Sequence, residues 1–175
     1  MSGAENTNPD KWTFGIRYLS DQIPRASVRT TLTYRVHPRL SLGVEYNPRA
    51  DDVNPLANWV AITETERRPA LILGTSSDRI GTPSGQSFYA TVSKNLQREI
   101  RLPIAPYVGV AYSTYEDRFL AIGGLNINFR DNLSSQIIFD GVKVHPSLSY
   151  VFRRHVFTFL LAQSKNPGFS YSVSF

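Results

Sequence analysis

Phe169-Ser170-Tyr171-Ser172-Val173-Ser174-Phe175 sets a large apolar or aromatic side chain at every second position and a serine in each gap. Successive side chains of a strand point to opposite faces, so this stretch predicts a strand with one greasy and one wet face. The same alternation opens the chain. Trp12, Phe14, Ile16 and Tyr18 alternate with Thr13, Gly15 and Arg17. Val28, Thr30, Leu32, Tyr34 and Val36 oppose Arg29, Thr31, Thr33 and Arg35, and Leu40, Leu42, Val44 and Tyr46 oppose Ser41, Gly43, Glu45 and Asn47. A soluble barrel of lipocalin type turns such apolar faces inward around a greasy cavity, and a membrane barrel turns them outward.

Further segments follow at 58–66, 69–77, 86–94, 103–114, 118–129, 133–140, 147–153, 155–163 and 168–175. About twelve segments of eight to ten residues fit the even strand count and strand length of an outer-membrane barrel. The joins alternate in character. Those at 37–39, 67–69, 130–132 and 153–155 are short and basic. Those at 21–26, 48–57, 76–86, 113–118, 140–146 and 164–167 are mostly longer and richer in Asp, Gly, Pro and Asn. Short turns on one rim and long loops on the other is the barrel arrangement, with both termini on the short-turn side. The join at 94–103 breaks the rule; its Lys94–Ile100 stretch allows one helical turn, which Pro103 ends.

The terminal strand, with Phe169, Tyr171, Val173 and Phe175 as its large residues, resembles the carboxy-terminal assembly signal of bacterial outer-membrane β-barrels. That resemblance implies recognition by the outer-membrane assembly machinery and a place in the outer membrane of a diderm bacterium. The expected architecture is all-β: a closed antiparallel transmembrane β-barrel over residues 11–175, preceded by a flexible lead-in over 1–10. Met1-Ser2-Gly3-Ala4-Glu5-Asn6 lacks the basic start and apolar core of a secretory leader, so a mature form is expected. A second resemblance lies in Pro69-Ala70-Leu71-Ile72-Leu73-Gly74, Asp78, Gly81-Thr82 and Tyr89 through Ser93-Lys94, which looks like a segment of YjbH-type barrel proteins linked to exopolysaccharide export. It implies a role in export across the outer membrane. Those proteins are much longer.

The bulk composition narrows the alternatives. At 175 residues the chain suits one domain. It has no cysteine, which removes disulfides and Cys-based metal sites. No apolar run approaches the ~20 residues of a membrane helix. The net charge of +5 is modest, and no basic cluster interleaved with aromatics stands away from the turns, so no nucleic-acid partner is expected. Metal-ligand spacings, phosphate loops and dinucleotide fingerprints are absent, and no cofactor is expected.

Twelve strands ~4.8 Å apart and tilted by ~40° give a radius of roughly 12 Å, which leaves a narrow lumen. Its charged lining is expected from Arg17, Arg29, Arg35, Glu45 and Glu64, either as a bracing ion-pair network or as a lining selective for anions. Arg39, Arg67, Arg68, Arg130, Arg153 and Arg154 form a basic rim facing the lipid bilayer or an acidic periplasmic or envelope partner. Of the histidines His37, His145 and His155, only His145, with Asp140 and Ser147 nearby in sequence, allows a Ser/His/Asp set, and no catalytic residue is expected. The expected role is a small passive or export-associated channel; the alternatives are a non-conducting anchoring subunit of an envelope complex and the soluble barrel.

Overall fold

A computed structural model describes residues 5–20 and 23–175. Twelve strands follow one another: β1 (Trp12–Leu19), β2 (Val28–His37), β3 (Leu40–Asn47), β4 (Asp52–Ile62), β5 (Ala70–Ser77), β6 (Gln86–Ser93), β7 (Ile104–Ser113), β8 (Arg118–Arg130), β9 (Leu133–Phe139), β10 (Val144–Phe152), β11 (His155–Ala162) and β12 (Asn166–Ser174). Two single-turn helices interrupt them, α1 (Pro24–Ser27) and α2 (Gln97–Ile100). Each strand pairs antiparallel with its chain neighbours, and β12 returns to β1 to close the barrel. The seam runs from Thr13 opposite Ser174 to Leu19 opposite Gly168. Trp12 and Phe175 then exchange backbone hydrogen bonds of 2.9 and 3.0 Å. Closure leaves no unpaired edge, the condition for a sheet in lipid.

The register settles which face is which. Phe14, Leu32, Val44, Val108, Leu148 and Phe159 are exposed and sit at outward positions around the barrel. Aromatic residues mark both ends of this apolar face. Trp12, Trp59, Phe129, Tyr150, Phe152 and Phe175 stand at the short-turn end. Tyr18, Tyr46, Phe88, Phe119, Phe139 and Phe169 stand at the loop end. Most strand serines, threonines and glycines, together with Arg17, Arg29 and Arg35, face inward. This order is the reverse of a soluble ligand-binding barrel, and it matches an apolar band between two aromatic girdles. No helix among the described residues is long and apolar enough to cross a membrane.

Two inward tyrosines rest on glycines of the adjacent strand. Tyr89 on β6 lies opposite Gly74 on β5, and Tyr107 on β7 lies opposite Gly124 on β8. A Cβ at Gly74 would stand 2.3 Å from the Tyr89 hydroxyl, and one at Gly124 would stand 2.6 Å from the Tyr107 ring. The glycines let each ring lie flat along the wall instead of crossing the lumen.

Several element boundaries differ from the sequence reading, and proline explains most of them. The joins expected at 48–57 and 140–146 are shorter, because β4 begins at Asp52 and β10 at Val144. Each absorbs a proline, Pro55 or Pro146. Pro106 and Pro167 also lie inside strands. All four sit just beyond the last ladder rung on one side, at Ala57, Tyr107, Ser147 and Gly168 respectively. The missing N–H therefore faces a side with no ladder to complete. The carbonyls of Pro55, Pro106 and Pro167 accept from Gln86, Lys94 and Ser20 instead. The 58–66 segment ends at Ile62, and the 21–26 join contains α1 with Pro24 in its first turn. Asp21 and Gln22 of that join, and residues 1–4 of the expected lead-in, lie outside the described residues.

Candidate functional site: the lumen and its lid

The loop joining β5 to β6, residues 78–85, crosses the loop-end mouth and meets α1. Arg25 of α1 is buried and supplies the main polar contact between them. Its Nε donates to the Thr82 carbonyl at 2.7 Å. Its Nη2 donates to the carbonyls of Asp78 (3.1 Å) and Arg79 (2.7 Å) and to Thr82 Oγ1 (2.8 Å). Burial pushes the guanidinium pKa down against the pull of Glu45, Asp52 and Asp78. Beneath these bonds Ile80 and Ile23 pack on Leu19, Ala26, Leu160 and Ala162, so the loop reaches the inner face of β11, across the barrel from its own strands. The far side of the loop is tied to the β7–β8 connection. Ser113 Oγ and the Tyr115 amide donate to the Asp78 carboxylate. Arg79 Nη2 stands 2.5 Å from Glu116 Oε1, which raises the Arg79 pKa and holds Glu116 below the usual carboxylate range. We refer to residues 78–85 as the lid.

Below the lid the lumen has two unlike walls. Along β4–β8 the inward residues mix Asn54, Asn58, Thr91 and Ser93 with the larger Leu56, Val60, Ala70, Ile72, Tyr89 and Tyr107, and Val60, Ala70 and Ile72 form a buried cluster against Tyr89. Along β10–β12 and β1–β3 they are chiefly hydroxyls and charges. Ser149 meets Thr158 (2.8 Å), Thr13 meets Ser174 (3.1 Å), and the arginines follow on β1 and β2. Arg17, Arg29, Arg35 and Glu45 all point inward, as the alternation predicts. Arg29 Nη2 lies 2.6 Å from Glu45 Oε2, and Asn47 donates to the other oxygen of that carboxylate at 3.0 Å. Arg17 has no hydrogen bond or ion pair among the described residues. A cavity of about 350 Å³ lies beside Arg17 and Arg29.

Arg35 and Glu64 serve elsewhere. Arg35 donates to the carbonyls of Asn8 and Asp10, holding the amino-terminal segment across the short-turn end. That segment roofs a second cavity of about 410 Å³ with Ser41, Asn58 and Val60 in its wall. Glu64 lies past the end of β4 at the rim, where it accepts from the Asn95 amide (3.0 Å) and sits 3.7 Å from Lys94. Of the basic rim, Arg39 pairs with Glu5 (2.6 Å) and Arg154 with Asp10 (3.1 Å), so these two also fasten the amino-terminal segment. Arg68 reaches the Thr63 carbonyl at 3.5 Å, and Arg153 stacks on Phe152. Arg67, Arg130 and Arg153 carry no ion pair among the described residues.

The Ser/His/Asp set allowed by sequence does not assemble at His145. Its Nε2 meets Asp140 Oδ2 at 2.8 Å and its Nδ1 accepts from the Gln163 amide at 3.0 Å, so both ring nitrogens are occupied. Ser147 donates instead to the Gln136 carbonyl (3.2 Å). Burial works to raise the Asp140 pKa, but hydrogen bonds from His145 and the amides of Lys143 and Val142 outweigh it and hold it low. The pair braces the loop rim. No group of three or more potential metal ligands occurs among the described residues.

The sequence patterning missed Arg25, Asp78 and Thr82. Asp78 and Thr82 entered only through the segment that resembles YjbH-type barrels, and Arg25 sits in a polar join that reads as solvated loop. The fold and its side-chain distribution define a closed twelve-stranded antiparallel barrel, compatible with an outer-membrane β-barrel. No family model and no curated protein matches the chain.

Proposed function

We propose that the chain is an outer-membrane barrel that works as a small channel for anionic solutes, shut at rest by its lid. One observation carries this reading. Hydroxyls and arginines line one side of the lumen up to the apolar cluster of Leu19, Leu160 and Ala162, above which lies a loop held to α1 by polar bonds that can exchange for water. A lining that coordinates solute and a closure separable from the wall are what a gated pore requires. The segment resembling YjbH-type barrels falls on β5, the lid and β6, which is in keeping with an export-associated role. Phe169, Tyr171 and Val173 face outward on the closing strand and Phe175 is exposed just past it, which is in keeping with a carboxy-terminal assembly signal.

A non-conducting anchoring subunit is the second reading. The unpaired Arg67, Arg130 and Arg153 at the short-turn rim favour it, since they offer cations to an acidic envelope partner or to lipid headgroups.

Planar-bilayer recordings of the detergent-folded full chain decide between the two. Wild type is expected to be silent or to open rarely. Replacing residues 79–84 by a short Gly/Ser linker should give stable steps, with a reversal potential in a salt gradient that favours anions. A linker variant that folds and inserts but stays silent sinks the channel and leaves the anchor.

A further inference from the structure

The inner wall holds a guanidinium, Arg17, that makes no ion pair among the described residues. Arg17 and Arg29 are register partners on β1 and β2, so two guanidinium groups stand side by side on one face. Like charges directly opposite repel. Glu45, only 1% exposed, pairs with Arg29 at 2.6 Å and makes no direct contact with Arg17. Other acids of this end among the described residues are engaged elsewhere: Asp78 by Ser113 and backbone amides, Asp52 by Asn54, Glu116 by Arg79, Asp140 by His145. The Arg17 Nε is buried with no acceptor. A guanidinium whose Nε is buried without an acceptor is costly unless water or an anion meets it.

The space for such an anion is already formed. The cavity of about 350 Å³ has Arg17, Arg29, Thr31, Ser170 and Ser172 on its polar side and Leu56 opposite. Gly15 keeps it open, because a Cβ there would stand 2.7 Å from Thr31 Oγ1. We propose that this chamber binds one small organic oxyanion, a carboxylate or a phosphate monoester. Its charged head sits between Arg17 and Arg29, and a short hydroxylated body lies against Thr31, Ser170 and Ser172. Planar guanidinium forks match oxyanions in bidentate geometry, and hydroxyls both donate and accept. The volume is at the low end of ligand pockets, roughly 300–1,000 Å³, so the solute is small. The inference goes beyond the channel reading, since an occupied chamber serves a shut barrel as well as a conducting one.

The test is titration of the detergent-folded full chain with inorganic phosphate, acetate and chloride at constant ionic strength, followed by calorimetry and by thermal unfolding. A one-to-one saturable response to phosphate or acetate, absent for chloride, is expected, and the stronger of the two identifies the head group. Arg17→Gln removes no ion pair and should weaken binding roughly tenfold or more, the scale of a lost charge-assisted hydrogen bond. Arg17→Lys keeps the charge without the fork and should retain part of the affinity. An equal, unsaturable response to all three anions in wild type overturns the site, whether or not the variants fold. Unchanged phosphate and acetate affinity in Arg17→Gln overturns it as well. Neither result depends on whether the barrel conducts.

Discussion

Single residues set how the inner wall is filled. At Gly124 an ideal Cβ would come within 2.3 Å of the Ile137 carbonyl and 2.6 Å of the Tyr107 ring. Gly124→Ala should therefore cost about 1–3 kcal/mol through forced shifts of wall and ring. Urea unfolding from lipid vesicles measures this; a loss near zero would mean that the wall yields freely there. The small inward residues were visible in the sequence as one half of the alternation. Their pairing with particular tyrosines was not, because alternation specifies a face and only register specifies the neighbour. Arg17 and Glu64 show the same limit. Both are charged residues of strand-like segments, yet one lies in the lumen without a partner and the other lies past a strand end beside Lys94.

Among the elements, the lid has a stability that depends on pH. The bridge to Arg79 lowers the Glu116 pKa, so the native state binds its proton less readily than the unfolded chain does. The stabilisation is whole above the usual glutamate value of about 4.3 and is lost as pH falls through the lowered native value. Asp140 shifts in the same direction at the neighbouring β9–β10 connection. Amide exchange over residues 79–84 should thus accelerate in strongly acidic buffer while the β-ladders stay protected. Glu116→Gln should bring the faster exchange to neutral pH. Constant protection of 79–84 down to pH values well below 4.3 would show that the lid is held without the Arg79–Glu116 bridge, by Arg25 and the apolar contacts of Ile80. The lid follows from contacts between distant joins, Arg25 with Asp78 to Thr82 and Asp78 with Ser113. Local patterning reads such segments as polar loops, since turn-type residues carry the same signal whether a loop is solvated or folded over a mouth.

At the scale of the whole molecule, the outer face determines the solvent. Val108 is exposed midway along β7, between the aromatic girdles. Val108→Arg is expected to destabilise folding into lipid vesicles by roughly 2–4 kcal/mol, the cost of arginine near a bilayer midplane. The inward Thr31, with similar bulk, should accept a polar replacement at much smaller cost. Equal tolerance of charge at both positions would indicate a barrel that does not sit in lipid.

The alternation by itself determined the strand class, the approximate strand number and that Arg17, Arg29, Arg35 and Glu45 share the polar face, because a period of two is imposed by backbone geometry and survives any arrangement of neighbours. The alternation of short and long joins determined which end is which. The sense of the two faces needed the closed sheet: whether an apolar face is core or coat depends on where the barrel places it. The lid, the unpaired Arg17 and the cavity beside it were decided only by tertiary structure. Each depends on which side chains from distant strands and loops meet in space, and no local period encodes that meeting.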